Sequence, residues 1–264
     1  MSNKIDKYKT KLEKAEKKIG ILEGMIENRT RELYTTKVER ERQNKELEQF
    51  AYIASHDLQE PLRTVTGLVE LLQQEYKGQL DENADRHIQY ITESISRMDQ
   101  LVKGLLGFSR IGRERTLSEV NCNTVIKAVI NDADHLIKET GTHITYSKLP
   151  SIIASEIELR QLFQNLIHNA IKFRKKDAAP KIEISAIKKV DIWEFAIKDN
   201  GIGIDQKNHD KIFMIFKCLH TRGQYKGTGI GLANCKKIIE LHDGKIWLDS
   251  EPDKGSTFYF TIPN

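Results

Sequence analysis

The chain has 264 residues, of which 30% are charged and 7% aromatic, and its formal net charge is +4. This length allows roughly one or two domains plus an extended element, and the small basic excess does not favour nucleic-acid binding. No run of about 18 apolar residues is present and the N-terminus lacks a secretory core, so no membrane span is predicted. The cysteines, Cys122, Cys218 and Cys235, show no paired metal spacing, which predicts reduced thiols and a cytoplasmic protein.

A heptad repeat fills residues 1–48. Its two apolar positions are occupied by Ile5, Tyr8, Leu12, Ala15, Ile19, Leu22, Ile26 and Leu33. Polar side chains interrupt the later heptads, at Arg29, Thr36, Arg40 and Gln43. The repeat predicts a coiled coil, most simply a parallel dimer, whose weak middle suits a helix that transmits a signal by a change of register.

The next helix carries a histidine with a carboxylate beside it, His56 and Asp57. When the heptad repeat is continued to His56, this residue falls outside the two apolar positions and is therefore predicted to face solvent. Pro61 has no amide to donate to the carbonyl of Asp57, which predicts a kink just after the histidine. Gly78 ends this helix, and a second apolar stripe predicts a helix from about 82 to 109. Two such hairpins form a four-helix bundle, so residues 49–112 are predicted to be a dimerisation domain.

From residue 113 to 264 the pattern is mixed. It predicts helices at 121–139, 155–175 and 231–241, and strands at 143–147, 180–188, 191–198, 245–249 and 256–262. The helix that starts at Ser155 is predicted to have a capping box with Glu158. This alternation favours a two-layer α/β sandwich, joined to the helical hairpin by a short polar linker.

Three polar residues share one face of the second of these helices. Asn165, Asn169 and Lys172 are spaced by four and three. Two carboxamides and an ammonium in that arrangement can hold hydrated Mg²⁺ and phosphate oxygens. A solvated helix face is the plain alternative for this motif taken alone.

Two glycine-rich turns follow. Asp199-Asn-Gly201-Ile-Gly203 ends a strand, and there Asp199 can accept a hydrogen bond from an exocyclic amine. Gly227-Thr228-Gly229-Ile-Gly231 opens a helix, where free backbone amides cradle phosphate. The intervening segment, 206–226, is predicted to be a lid over a bound nucleotide.

The order and spacing of these motifs resemble the sensor histidine kinases of two-component signalling. Residues 56–63 resemble the H-box, 165–173 the N-box, 199–203 the G1 box, 213–216 the F-box and 227–231 the G2 box. The phrase His-Asp-Leu-Gln-Glu-Pro-Leu-Arg is most similar to the phytochrome-like subgroup, and the resemblance covers residues 45–264.

The resemblance implies a role for each matching residue. His56 is the expected phosphoacceptor, Asp57 its acid–base partner and Arg222 a lid cation for the transferred phosphoryl group. Asn169 is the expected Mg²⁺ ligand. The other expected ATP contacts are Asn165, Lys172, Phe173, Asp199, Gly201, Gly203, Gly227, Thr228, Gly229, Gly231, Leu232 and Thr257. The implied partners are a second copy of the chain, a response regulator receiver domain, and an upstream sensor domain or sensor protein.

The predicted function is therefore ATP-dependent autophosphorylation of His56 and transfer to an aspartate of a response regulator. One rival is a dimeric scaffold that binds ATP without transferring it. Another is an ATPase that shares the nucleotide fold, such as a topoisomerase, a mismatch-repair clamp or a heat-shock chaperone. Glu60 stands where related kinases carry Thr or Asn, so phosphatase activity stays open. The input signal, the regulator, cis or trans transfer, and whether the chain is a fragment also stay open.

Overall fold

The structure is a computed structural model that describes residues 2–113, 115–219 and 227–264, with side chains from residue 17 onward and gaps between 40 and 51. The chain divides into two compact units, residues 1–53 and 54–264. Within the described ranges no helix combines the length and the apolar composition that a membrane crossing requires.

From Ser2 onward the first unit is helical and belongs to α1 (Ser2–Tyr76). The apolar heptad residues that can be assessed here, Ile19, Leu22, Ile26 and Leu33, are 53–67% exposed. The predicted heptad side chains before residue 17, and those at 40, 47 and 50, lie outside the described residues. An exposed apolar stripe of this length is the surface that a second helix covers in a coiled coil.

In the second unit, the remainder of α1 and α2 (Glu82–Arg110) form a helical hairpin. Asp81 caps α2, its carboxylate accepting from the Ala84 amide over 2.8 Å. α1 is unbroken through Pro61, so the kink stays a prediction. Few hairpin side chains are buried, and Leu58, Val65, Leu68, Leu72, Ile91 and Met98 are all more than 40% exposed. The hairpin therefore keeps a large apolar face uncovered within one chain.

The α/β domain has a two-stranded and a five-stranded sheet. β1 (Ser118–Asn121) pairs antiparallel with β3 (Ser151–Ala154). The larger sheet has the order β2-β4-β5-β7-β6, in which only the β2–β4 pair is parallel. Its strands are β2 (His143–Tyr146), β4 (Lys181–Lys188), β5 (Ile192–Asp199), β6 (Ile246–Glu251) and β7 (Gly255–Pro263).

Helices α5 (Glu156–Lys172) and α6 (Gly231–Leu241) pack on the apolar face of this sheet. Helix α3 (Cys122–Asp132) packs against α5, and α4 (Asp134–Thr140) packs against α3. The core is centred on Phe163 of α5, whose ring lies edge-on to Phe195 and Phe260 with centroids 6.1 and 5.9 Å away. All three rings are fully buried. The predicted two-layer sandwich is confirmed.

Some sequence predictions for this domain were wrong. The helix predicted over 121–139 is two helices, because the backbone of Ala133, at ψ 5°, leaves the α conformation between α3 and α4. Strands β1 and β3, each four residues long, were not predicted. The capping box is half formed: the Ser155 hydroxyl accepts from the Glu158 amide over 3.5 Å, but the Glu158 carboxylate bonds elsewhere.

Candidate active site

The histidine–carboxylate pair lies on α1 with both side chains 71% exposed. His56 Nδ1 is 3.2 Å from Asp57 Oδ1. In the tautomer that carries the proton on Nδ1, this contact is a hydrogen bond donated to Asp57, and Nε2 keeps its lone pair. In this arrangement His56 can act as the nucleophile through Nε2, while Asp57 fixes its tautomer and can accept the Nδ1 proton.

A cavity of about 330 Å³ lies in the α/β domain, within the range of roughly 300–1,000 Å³ that small-molecule sites occupy. Most of the predicted nucleotide residues line it: Asn165, Asn169, Lys172, Phe173, Asp199, Gly203, Gly227, Thr228, Gly229, Gly231 and Leu232. They come from α5, from the turn after β5 and from the start of α6. The fold thus joins three sequence motifs in one site.

Asp199 is held at the end of β5 by two backbone amides. Its Oδ1 accepts from Gly201 over 2.8 Å and from Ser256 over 3.2 Å. Burial raises the pKa of Asp199 above the ordinary value, although the two hydrogen bonds oppose the rise. Both bonds end on Oδ1, so Oδ2 is the oxygen placed to accept from a ligand amine.

The polar face of α5 meets the same cavity. Lys172 Nζ lies 4.5 Å from the centre of the Phe173 ring, and burial lowers the pKa of Lys172. Apart from an interaction with the Cys235 thiol, the buried Asn165 Nδ2 has no hydrogen-bond partner among the residues that the structure describes. A buried donor of this kind is costly unless a ligand satisfies it, so this face fits a polar, anionic ligand.

Two glycines of the site have backbone conformations that favour glycine. Gly203 has φ +69° and Gly229 has φ +74°. A Cβ at Gly229 would lie 2.8 Å from the carbonyl carbon of Phe216, and one at Gly203 would overlap the Glu251 carbonyl. The G1 and G2 turns therefore pack against neighbouring backbone while they border the cavity.

The remaining predicted residues are placed differently. Gly201 does not line the cavity and acts through its amide on Asp199. Ser256 and Phe258 of β7 do line it, so Thr257 between them projects to the other face of the sheet. Arg222 lies outside the described residues. Cavity residues that no motif marks include Ile204, Ser256 and Asn234, whereas Ile212 and Leu219 of the lining belong to the segment that was predicted as a lid.

Fold and site together define a class of protein that pairs an exposed histidine on a helical hairpin with a nucleotide site on an α/β sandwich. Residues 46–114 match the family described as His Kinase A (phospho-acceptor) domain. Residues 154–264 match the family described as histidine kinase-, DNA gyrase B-, and HSP90-like ATPase. The chain belongs to the sensor histidine kinases.

The chain is also similar to individual proteins. It is 48% identical over 226 residues to cyanobacterial phytochrome A of Nostoc sp. strain PCC 7120, covering 84% of this chain and 29% of that protein. Full-length ShkA in complex with AMPPNP has a TM-score of 0.61 at 26% identity, over 81% of this chain and 45% of that one. Histidine kinase ThkA in complex with response regulator protein TrrA has a TM-score of 0.60 at 25% identity, and the match covers 86% of this chain and 66% of that one. The chain spans less than a third of the length of the first curated relatives that it matches.

Proposed function

We propose that the chain uses ATP to phosphorylate His56 and then passes the phosphoryl group to an aspartate of a response regulator. The observation that supports this most directly is the His56–Asp57 pair, because a nucleotide-binding scaffold needs no exposed histidine with a base 3.2 Å away. The cavity lined by Asn169, Lys172 and Asp199 is the proposed ATP site.

The chemistry needs little from the protein beyond position and charge. His56 Nε2 attacks the γ-phosphorus and forms an N–P bond, while the bond from that phosphorus to the β–γ bridging oxygen breaks and ADP leaves. Asp57 takes the Nδ1 proton, so the imidazole does not hold a positive charge next to the new bond. In the second step an aspartate oxygen of the regulator attacks the phosphorus and the N–P bond breaks. Its electron pair returns to Nε2, and Asp57 gives the proton back to Nδ1, which restores the neutral imidazole.

The residues of the cavity suit the two ends of ATP. Asp199 Oδ2 accepts from the adenine amino group, and Lys172 neutralises phosphate charge. The carboxamide oxygens of Asn165 and Asn169 are hard ligands of the kind that Mg²⁺ takes, and both side chains line the cavity. When bound, Mg²⁺ would neutralise charge on the phosphates. The proposal also makes Asn169 the Mg²⁺ ligand and Arg222 the cation that contacts the transferred phosphoryl group.

The partners follow from the uncovered surfaces. The exposed apolar faces of α1 and α2 fit a homodimer with a coiled coil over 1–48, a four-helix bundle over 49–112 and an ATP-binding domain over 113–264. ThkA, which has a comparable fold, is complexed with a response regulator, and we extend that kind of partner to this chain. An upstream sensor domain or sensor protein would supply the input, in the cytoplasm.

The test is incubation with Mg²⁺ and γ-labelled ATP, comparing wild type with His56→Gln, Asn169→Asp and His87→Gln. His87 is an exposed histidine of the same hairpin and serves as the matched control. We expect acid-labile, alkali-stable label on wild type and His87→Gln and none on the other two. ATP binding without label on wild type would favour the scaffold, and label that survives His56→Gln would mean another acceptor.

A further inference from the structure

Asn234 lies in the first turn of α6 and lines the nucleotide cavity. The residue is only 8% exposed. Neither Oδ1 nor Nδ2 of its carboxamide has a hydrogen-bond partner among the residues that the structure describes. Because a buried polar group without a partner destabilises the folded protein, this carboxamide is expected to bond a ligand of the cavity.

The cavity has two ends, which the polar face of α5 connects. Asp199 marks one end, in the turn whose Ile202 amide donates to the Phe173 carbonyl, just after α5 ends, over 3.0 Å. The start of α6 marks the other end, since a Cβ at Gly231 would lie 3.2 Å from Asn165 Oδ1. Asn165 precedes Phe173 by eight residues, which is about 12 Å along a helix. We call the second of these the α6 end of the cavity.

Asn234 belongs to the α6 end. It follows Gly231 by three residues, and residues three apart lie on the same side of a helix. The phosphoacceptor hairpin borders this end through Gly104, which lines the cavity and where a Cβ would lie 2.5 Å from Ile230 Cδ1. The α6 end is therefore where the cavity meets the hairpin.

The position of Asn234 indicates which part of a nucleotide it contacts. In an extended ATP molecule whose adenine amino group bonds Asp199, the terminal phosphate lies at the α6 end. Phosphate oxygens accept hydrogen bonds, so a neutral side chain that binds them must donate. A carboxamide carries two N–H donors beside its acceptor oxygen, and the torsion that turns the amide plane is soft. Asn234 can therefore turn Nδ2 towards a phosphate oxygen.

We propose that Asn234 donates a hydrogen bond to the terminal phosphate of the bound nucleotide and thereby makes the site prefer a nucleoside triphosphate to a diphosphate. This inference rests on the proposed ATP site and adds the residue that detects the third phosphate. ADP lacks that phosphate, so transfer of the phosphoryl group leaves the Asn234 carboxamide buried without a partner. The residue thus favours replacement of ADP by ATP.

The experiment is calorimetric titration of the full chain with ADP and with AMPPNP, an ATP analogue whose γ-phosphate is not transferred, both with Mg²⁺. Asn234→Leu has a side chain of similar size without a donor. We expect it to bind AMPPNP about tenfold or more weakly than wild type and ADP equally well. Asn131→Leu is the matched control, because Asn131 is an exposed residue of a helix, α3, that does not line the cavity.

Thermal denaturation without nucleotide separates binding from structure. Asn234→Leu should be at least as stable as wild type, because the exchange removes an unpartnered polar group from a buried position. A variant that is both less stable and weaker in AMPPNP binding would assign the effect to the packing of α6 and overturn the proposal.

Asn234→Asp distinguishes a bond to phosphate from a bond to the metal. The aspartate keeps the size of the side chain, but it lacks the donor and brings a negative charge next to the phosphate. AMPPNP binding should therefore weaken at least as much as in Asn234→Leu. Carboxylates are ligands that Mg²⁺ takes readily, so AMPPNP affinity equal to or above that of wild type would make Asn234 a metal ligand and overturn the proposal.

Two further outcomes would contradict the inference. Equal losses of AMPPNP and ADP affinity in Asn234→Leu would mean that Asn234 contacts a part common to both nucleotides, and unchanged affinities would mean that it contacts neither. Both outcomes leave the proposed function intact, because the wild type still binds nucleotide. A wild type that binds neither nucleotide would overturn the proposed ATP site and this inference with it.

Discussion

The backbone N–H of Gly112 donates to the carboxylate of Glu158 over 3.0 Å, which ties the residues after α2 to the first turn of α5. Glu158 is 6% exposed, and Arg115 Nε lies 3.4 Å from its other oxygen. His242 is also near, but burial lowers the pKa of His242 and its Nδ1–H donates to the Ile238 carbonyl over 2.8 Å. Arg115 is therefore the cation that balances this buried carboxylate.

Removal of Arg115 is expected to destabilise the α/β domain. Arg115→Ala leaves Glu158 buried without a cation and also loses the hydrogen bond from Arg115 to the Leu241 carbonyl. Breaking a buried pair from one side costs about 3–5 kcal/mol. Chemical denaturation should therefore show a free energy of unfolding lower by about 3 kcal/mol, with Lys148→Ala, at an exposed position of the same domain, as the control. Addition of Glu158→Gln should recover part of the loss, and a loss in Arg115→Ala no larger than in the control would contradict this account.

The contacts around Glu158 also show which features can be predicted from the sequence. Ser155 and Glu158 are three residues apart, and that spacing correctly predicted a helix start with the serine as its cap. The partners that complete the cap come from distant parts of the chain. The Ser155 amide donates to His242 Nε2 over 3.2 Å, and Glu158 accepts from Gly112. Contacts across such separations depend on tertiary packing and leave no local pattern.

In the nucleotide site, too, some residues could be predicted from local sequence and others could not. Asn165, Asn169 and Lys172 were predicted as one face because they share one helix, whose geometry is fixed by hydrogen bonds within it. Thr257 was placed in the site by resemblance, whereas strand alternation puts Ser256 and Phe258 against the cavity. Asn234 was missed because its place in the cavity lining depends on how α6 packs in the folded domain. Local periodicity thus predicted the polar face of α5, whereas tertiary packing determines which other residues line the cavity.

Asp199→Asn is expected to separate binding from stability. The asparagine keeps an acceptor for the Gly201 and Ser256 amides, but its amide nitrogen replaces the oxygen that faces a ligand amine. Since burial raises the pKa of Asp199, its ionised form is disfavoured in the folded state. We therefore expect the variant to be at least as stable as wild type at neutral pH and to bind ATP about tenfold or more weakly.

Calorimetric titration with ATP and thermal denaturation of the same samples would measure both effects. Asp205→Asn is a matched control, because Asp205 is in the same turn but does not line the cavity. A parallel loss of stability and affinity in Asp199→Asn would mean that the carboxylate has a structural role instead.

Lys172 is expected to make nucleotide affinity sensitive to alkaline pH. Burial lowers the pKa of Lys172 below the usual 10.5, so the free protein loses this charge earlier than an exposed lysine would. The folded state then binds fewer protons than the unfolded state in that window, and this group's contribution to stability rises with pH. Affinity for the phosphates changes in the opposite direction, because the neutral amine attracts them less.

Binding of ATP measured from neutral pH up to the usual lysine range should therefore weaken as pH rises. Lys172→Arg keeps its charge over that range, and its affinity should stay nearly constant. Lys176→Arg, at an exposed position just beyond the cavity, should follow wild type. An identical pH dependence in Lys172→Arg and wild type would assign the effect to another group.

Asp57 is expected to matter for proton transfer more than for placement of the histidine. Asp57→Asn retains an oxygen that can accept from His56 Nδ1–H, so the imidazole keeps its tautomer, but the amide cannot take the proton. General-base catalysis contributes roughly 10²–10⁴-fold, and we expect the rate of His56 labelling to fall about a hundredfold or more. Affinity for ATP should not change, because Asp57 does not line the cavity.

Asp57→Ala removes orientation as well and should be slower than Asp57→Asn, whereas Glu60→Gln changes a carboxylate one turn away and serves as the control. Single-turnover labelling separates the two roles, because Asp57→Asn loses only the base whereas Asp57→Ala loses the base and the orienting acceptor. If Asp57→Asn labels His56 as fast as wild type, the carboxylate 3.2 Å from Nδ1 takes no part in the chemistry, and the proton must leave to water.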